Sequence, residues 1–113
     1  NQLQKRCLAQ LPANPVAWDC VMLRYPDGAS IPPHTDVERP SNTPLRHHRL
    51  FMLAQPAVAG GVLSIDGADV PISVGDAVIF EPCSVPHAVS AVTGSRLMFT
   101  VGVWTLTQPG PRV

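Results

Sequence analysis

The chain has 113 residues, of which 45% are hydrophobic and 14% charged, so it is long enough for one domain and too apolar for wholesale disorder. Eight basic and eight acidic residues cancel, which leaves no electrostatic footprint for nucleic acid. No apolar run approaches the roughly 20 residues of a membrane span. We therefore expect a single domain over residues 1–113 that binds neither nucleic acid nor a membrane.

Cellular context is read from the cysteines and the start of the chain. The three cysteines at positions 7, 20 and 83 are odd in number, widely spaced and without a CxxC motif, which argues against a disulfide scaffold or a structural zinc site. With no signal peptide, this predicts a cytoplasmic protein. The start at Asn1 fits a piece of a longer chain. A domain this small is expected to lean on a homodimer partner or on protein outside this sequence.

Thirteen prolines and eight glycines interrupt the chain every few residues and forbid long helices. Only residues 2–11 can be helical, because Leu3, Cys7 and Leu8 make a narrow apolar stripe that Leu11-Pro12 ends. A polar loop is predicted at 38–44 and a tail at 108–112. Many short strands indicate a sandwich or barrel, and we predict them at 16–25, 30–36, 49–55, 61–66, 70–73, 77–81, 85–91 and 96–105.

The first candidate ligands are His34 and Asp36, in the tripeptide His-Thr-Asp. Residues i and i+2 of a strand point to the same face, so the imidazole and the carboxylate emerge side by side. Two histidines and one carboxylate on one face of an octahedron suit Fe(II) that must also bind a co-substrate and dioxygen. Alone the tripeptide is weak evidence, because such polar residues usually lie on the surface.

The third ligand must come from a distant strand, and His87 is the candidate, although a lone histidine on an apolar strand is more often a core residue. Arg96 changes this weighing, because it needs a partner in an otherwise apolar strand, and a bound carboxylate supplies one. We expect His87 and Arg96 to flank a hairpin. A four-residue loop, residues 92–95, pairs Ala91 with Arg96 and places the side chains of His87 and Arg96 on the same face of the hairpin. A loop of three or five residues would separate them.

The set His34-Thr35-Asp36, then His87, then Arg96 resembles the HxD…H…R/K signature of the Fe(II)/2-oxoglutarate-dependent dioxygenase superfamily. The resemblance extends from about Arg24 to Trp104. It implies a mainly β fold, a double-stranded β-helix or jelly-roll, here with the short N-terminal helix. It also implies Fe(II) on the two histidines and Asp36, 2-oxoglutarate (2OG) on Arg96, dioxygen as the oxidant, and hydroxylation of a C–H bond with release of succinate and CO2.

Shorter motifs refine the resemblance. Arg24-Tyr25-Pro26 resembles the strand that brings a tyrosine near the co-substrate in prolyl-hydroxylase-like members, and Gly60-Gly61-Val62-Leu63 resembles their GGxL stretch. Leu45-Arg46-His47-His48 is similar to the aspartyl/asparaginyl β-hydroxylase branch, which often lacks the carboxylate ligand that this chain retains. Halogenases of the superfamily replace that carboxylate, so Asp36 favours hydroxylation.

Residues 46–49 form a basic cluster between the two halves of the predicted site. The non-functional interpretation of this cluster is a solvent-exposed loop before a strand. In the functional reading, His48 joins Tyr25 as a 2OG contact, while Arg46 and Arg49 approach an anionic substrate. Only alternate residues of a strand face inward, so the position of the cluster within the next strand decides between them. The substrate is expected to be an amino acid, a peptidyl side chain or a small natural product.

Two rival interpretations remain. Gly75-Asp76, Pro82 and Pro86-His87 are similar to the second cupin motif, but the chain has no clear match to the first. A cupin-type domain would have nearly the same fold and would not use 2OG. The other rival is a non-enzymatic β-sandwich interaction module in which the triad is coincidental.

Overall fold

The computed structural model describes residues 11–12, 14–36 and 45–106. These residues form ten strands: β1 (Ala17–Tyr25), β2 (Ile31–His34), β3 (Leu45–Gln55), β4 (Ala59–Gly60), β5 (Leu63–Ile65), β6 (Ala68–Asp69), β7 (Ala77–Phe80), β8 (His87–Val89), β9 (Val92–Thr93) and β10 (Arg96–Leu106).

The strands build two four-stranded antiparallel sheets that face each other. The major sheet has the order β1-β10-β3-β7, the minor sheet has the order β2-β8-β5-β6, and β4 pairs with β9. This confirms the mainly β, jelly-roll prediction. The predicted helix at residues 2–11 lies almost wholly outside the described residues. None of the described residues forms a helix that is long and apolar enough to cross a membrane.

The core lies between the two inner faces, where apolar side chains alternate with outward-facing ones along each strand. Phe51 and Leu53 of β3 pack inward against Leu63 and Val89 of the minor sheet. Their neighbours Leu50 and Met52 belong to a second cluster on the outer face of the major sheet. The two clusters therefore fix which face of β3 looks into the interior.

The basic cluster falls inside β3, because this strand begins at Leu45 rather than at the predicted residue 49. By alternation with Phe51, the side chains of His47 and Arg49 face the interior of the sandwich. Arg46 and His48 lie on the opposite face, and Arg46 makes two hydrogen bonds of 3.0 Å to Glu81. Strand parity thus divides the four candidates into an inward pair and an outward pair.

The predicted hairpin between His87 and Arg96 is wrong. His87 begins β8 of the minor sheet and pairs with His34, whereas Arg96 begins β10 of the major sheet and pairs with Tyr25. The chain crosses between the sheets because Val92 pairs with Gly60 and its backbone N–H donates to Ala29. Both side chains are nevertheless buried between the sheets, since each occupies the inner face of its own sheet.

We expect alanine to be tolerated much less well at Gly60 than at Gly67. Both glycines have a positive φ, which costs an L-residue roughly 1–2 kcal/mol. A Cβ at Gly67 meets nothing, while one at Gly60 would overlap the carbonyl oxygen of Ala91 in the crossing segment. Gly60→Ala should therefore lose a further ~1–3 kcal/mol of unfolding free energy in urea titrations. Equal losses for the two variants would show that the crossing is not tightly held.

Candidate metal centre

Three side chains that can each bind a metal ion meet at one end of the sandwich. His34 is the last residue of β2 and His87 the first residue of β8, and the two are paired across the minor sheet. Asp36 follows two residues after His34, and its backbone N–H donates a 2.9 Å hydrogen bond to the carbonyl of Pro82. This bond ties the segment after β2 to the loop between β7 and β8, so the carboxylate is anchored beside both imidazoles.

The ligand atoms converge on a small space. Nε2 of His34 and Nε2 of His87 each lie 3.3 Å from Oδ1 of Asp36. One potential metal-ligand atom from each of the three residues lies within 4.8 Å of the other two. The imidazole rings have their centroids 4.3 Å apart. The triad expected from the sequence is therefore assembled by the fold.

Hydrogen bonds at the far side of each ring show what this space can hold. Nδ1 of His34 lies 2.9 Å from the carbonyl of Pro32, and Nδ1 of His87 lies 3.0 Å from the carbonyl of Val85. Because a carbonyl can only accept, each Nδ1 donates, and in the neutral rings each Nε2 presents a lone pair to the carboxylate. Three acceptors facing one another repel unless a cation lies between them. The set fits a divalent metal of the type held by two histidines and one carboxylate.

The surroundings of the triad are unequal on its two sides. Phe80 and Phe51 meet the His87 ring edge to face, with centroids 5.1 and 6.3 Å away, and His87 is only 6% exposed. The side chains of His34 and Asp36 are 38% and 33% exposed. A metal here would thus have an apolar, dry side toward the core and an accessible side toward solvent.

A cavity of about 200 Å³ runs inward from the triad. That volume is below the ~300–1,000 Å³ of common drug-sized pockets, so it accepts only small molecules. Besides the triad, its walls combine apolar residues of both sheets with two polar side chains: Val21, Leu23, Tyr25, Ile31, Phe51, Ala88 and Val89, together with Arg49 and Thr100.

Arg96 lies behind Tyr25 at the end of the sandwich away from the triad. Its guanidinium carbon is 4.9 Å from the centre of the Tyr25 ring, and Nη1 is buried without a hydrogen-bond partner. Burial lowers the pKa of Arg96 and raises the pKa of the Tyr25 hydroxyl. A buried guanidinium N–H without an acceptor is costly, and a ligand carboxylate would satisfy it. Arg96 does not line the cavity of the triad but borders a second cavity, which is lined by Gly60 and Gly61.

Of the basic cluster, only Arg49 lines the cavity of the triad. It donates to Thr100 and to Asp19 in hydrogen bonds of 2.9 and 3.0 Å. His48 and Arg46 lie on the outer face of β3. Neither Asp19 nor Thr100 was expected at this site from the sequence. The signal at Asp19 was a charged residue on the same strand face as Val21, Leu23 and Tyr25.

Comparisons with known proteins bear on the fold. Scans of protein-family models and of curated protein sequences gave no match. Among solved structures, the chain is similar to a Pseudomonas putida prolyl-4-hydroxylase, with a TM-score of 0.65 and 26% identity over 84% of this chain and 56% of that one. The chain thus spans little more than half the length of that protein.

Two further likenesses are more distant in sequence. A viral collagen prolyl hydroxylase from Paramecium bursaria Chlorella virus-1, solved with 2OG, gives a TM-score of 0.59 at 15% identity, covering 94% of this chain and 66% of that one. A cupin protein from Bacteroides fragilis gives 0.57 at 16% identity, covering 84% and 72%. The chain has the fold that cupins and 2OG oxygenases share.

His47 is expected to make the metal-free protein sensitive to acid. It stacks on Trp104 with ring centroids 4.1 Å apart, and burial, with Arg49 nearby, lowers its pKa to about 4 from 6.5. Between these values the unfolded chain binds the proton and the folded chain does not. Stability present above pH 6.5 is therefore lost as the pH falls toward 4, by up to ~3 kcal/mol.

The matched variant is His47→Phe, which keeps an aromatic ring against Trp104 and removes the titrating group. Urea unfolding of both proteins between pH 4 and 7 should show a shallower loss in the variant. The same slope in both would mean that His47 is protonated without cost in the folded state.

Proposed function

We propose that this chain is the catalytic core of an Fe(II)- and 2OG-dependent dioxygenase that hydroxylates a C–H bond of a small molecule or peptidyl side chain. The observation that carries the proposal is the pair of Nδ1 hydrogen bonds that turn both Nε2 atoms toward Asp36. The prolyl hydroxylase likenesses support it, and so does the buried, unpartnered Nη1 of Arg96.

In this proposal each group has a defined task. His34, Asp36 and His87 would hold Fe(II) through one atom each, which leaves ligand positions for 2OG and dioxygen. Arg96, assisted by Tyr25, would hold the far carboxylate of 2OG. The bound iron supplies the activation of dioxygen, coupled to decarboxylation of 2OG to succinate and CO2, that C–H hydroxylation requires.

The remaining residues shape the reaction space. Phe51, Phe80 and Val89 would keep water from the inner side of the metal, where a reactive oxidant would otherwise be quenched. The carbonyls of Pro32 and Val85 hold the two imidazole rings in orientation and keep their Nδ1 protons in place. Substrate would enter from the exposed side, past His34 and Asp36.

The first test is spectroscopic and anaerobic. Wild-type protein given Fe(II) and 2OG should develop a visible metal-to-ligand charge-transfer band. His87→Ala should lose it, because one of three ligands and its orienting hydrogen bond are gone. His48→Ala is the matched control, since His48 lies on the outer face of β3, and its band should equal that of the wild type.

Circular dichroism and urea unfolding establish first that all three proteins are folded. A wild-type protein that is folded and binds Fe(II) but gives no band with 2OG would favour the cupin-type alternative. A band of equal strength in His87→Ala would remove the triad from consideration.

The second test concerns the co-substrate anchor. Titrating 2OG into Fe(II)-loaded protein, Arg96→Gln should weaken 2OG binding roughly 10- to 100-fold, because a charge-assisted hydrogen bond to carboxylate contributes about 1.5–3 kcal/mol. Fe(II) affinity should not change. The control is Arg24→Gln, an exposed arginine of β1. If Arg49→Gln weakens 2OG binding and Arg96→Gln does not, the co-substrate is held by Arg49 rather than by Arg96.

A further inference from the structure

We propose that Arg49 and Asp19 form a binding site for the α-carboxylate and α-ammonium groups of a free amino acid. This inference rests on the proposed function and narrows its substrate class. It excludes a residue inside a peptide chain, which carries neither charge.

The pair is positioned by the register of the major sheet. β3 and β1 do not pair with each other, but both pair with β10, and Gly102 stands opposite Arg49 on one side and Asp19 on the other. All three positions lie on the inner face. On the far side of β3, Arg49 pairs with Phe80, whose ring contacts that of His87. The row formed by Arg49, Gly102 and Asp19, called the charged row below, is therefore at the triad end of the sandwich, where Arg49 lines the cavity of the candidate metal centre.

Gly102 is what allows the two charges to meet. A Cβ at this position would overlap the guanidinium of Arg49, so the side chain crosses β10 only because Gly102 has none. After crossing, Nη2 lies 2.9 Å from Oδ1 of Asp19 and donates a 3.0 Å hydrogen bond to Oδ2, while Nη1 donates to Thr100. The Thr100 hydroxyl itself donates to the carbonyl of Val21, so it is oriented to accept. Arg49 is thus held in one orientation before any ligand arrives.

The hydrogen bonds within the pair leave Asp19 able to accept from a cation and Arg49 able to donate to an anion. Oδ1 of Asp19 is buried against Nη2 of Arg49, 2.9 Å away, but the Asp19 side chain as a whole is 36% exposed. The carboxylate can therefore still accept hydrogen bonds from an ammonium group on its exposed side. Arg49 has five N–H groups in a planar fork and uses both terminal nitrogens on Asp19 and Thr100, which leaves further N–H groups for a carboxylate. A zwitterion satisfies both residues, whereas a simple anion satisfies one.

The contrast with Arg96 separates this site from that of the co-substrate. Nη1 of Arg96 has no partner, so that residue fits a carboxylate bound in every catalytic cycle. Arg49 already has an internal counter-ion, so its charge is balanced before substrate binds. Arg96 borders a different cavity, and the volume of about 200 Å³ beside Arg49 suits a ligand of amino-acid size.

The experiment uses calorimetry on anaerobic protein loaded with Fe(II) and 2OG. Each of the twenty L-amino acids is titrated, followed by the N-acetyl, amide and doubly blocked derivatives of the tightest binder. We expect at least one free amino acid to bind. Blocking either charge should weaken binding at least tenfold, and blocking both should abolish it.

Variants assign each charge to its residue. Asp19→Asn should weaken the free amino acid about tenfold and leave the N-acetyl derivative, which has no ammonium, unchanged. Arg49→Lys should weaken every ligand with a free carboxylate and spare the amide. Asp19→Asn preserves size and shape, so it carries the test if Arg49→Lys does not fold. Arg24→Gln, on the outer face of β1, should match the wild type.

Three outcomes would overturn the inference: equal binding of the doubly blocked and free forms, equal losses for all ligands in Asp19→Asn, or no amino-acid binding by protein that gives the charge-transfer band. The last leaves the proposed function intact. If no band forms, the proposed function fails, and the same titrations on protein without additions decide whether the pair binds a zwitterion.

Discussion

The site depends on two backbone carbonyls. Pro32 and Val85 each accept the Nδ1 hydrogen of the histidine two residues later, and this turns both Nε2 lone pairs toward Asp36. With neutral rings, the same geometry directs three acceptors at one another, and a bound cation relieves this repulsion. A cation that binds only this arrangement stabilises the fold by mass action. The pairing of β2 with β8 positions both histidines, so the same strand contact determines the fold at this end and the geometry of the candidate metal centre.

The two buried arginines between the sheets border different cavities, and they differ in how their charge is neutralised. A buried guanidinium must find an acceptor or lose much of its hydration energy. Arg49 finds Asp19 and Thr100, whereas Nη1 of Arg96 finds none among the described residues. An arginine with an internal counter-ion tolerates an empty site, and one without it favours a ligand that is rarely absent. This difference distinguishes the site at Arg49 from the site at Arg96.

Strand parity explains both the success and the failure of the sequence analysis. It predicted His34 and Asp36 side by side, which is a local property of neighbouring residues, even though β2 ends at His34. It brought His87 and Arg96 together through a hairpin that does not exist. Local sequence cannot tell whether residues 90–95 turn back or cross to the other sheet, because the backbone partners that decide, Ala29 and Gly60, are far away in the chain. His87 and Arg96 were expected on one face of a single hairpin, but they lie on the facing inner sides of two different sheets.

The charged row shows what kind of information was missing. Asp19 in an apolar strand and Gly102 inside a long strand are each visible in the sequence as exceptions, and a glycine there often marks a close approach. Neither exception identifies the other, because their relation is the register of β1, β10 and β3. Arg49 reaches across an entire strand to a residue it could not otherwise meet, and only a position without a side chain permits this. The ion pair and the glycine are thus one feature of the fold, because substitution of Asp19 or of Gly102 would disturb the same side chain, that of Arg49, which lines the cavity.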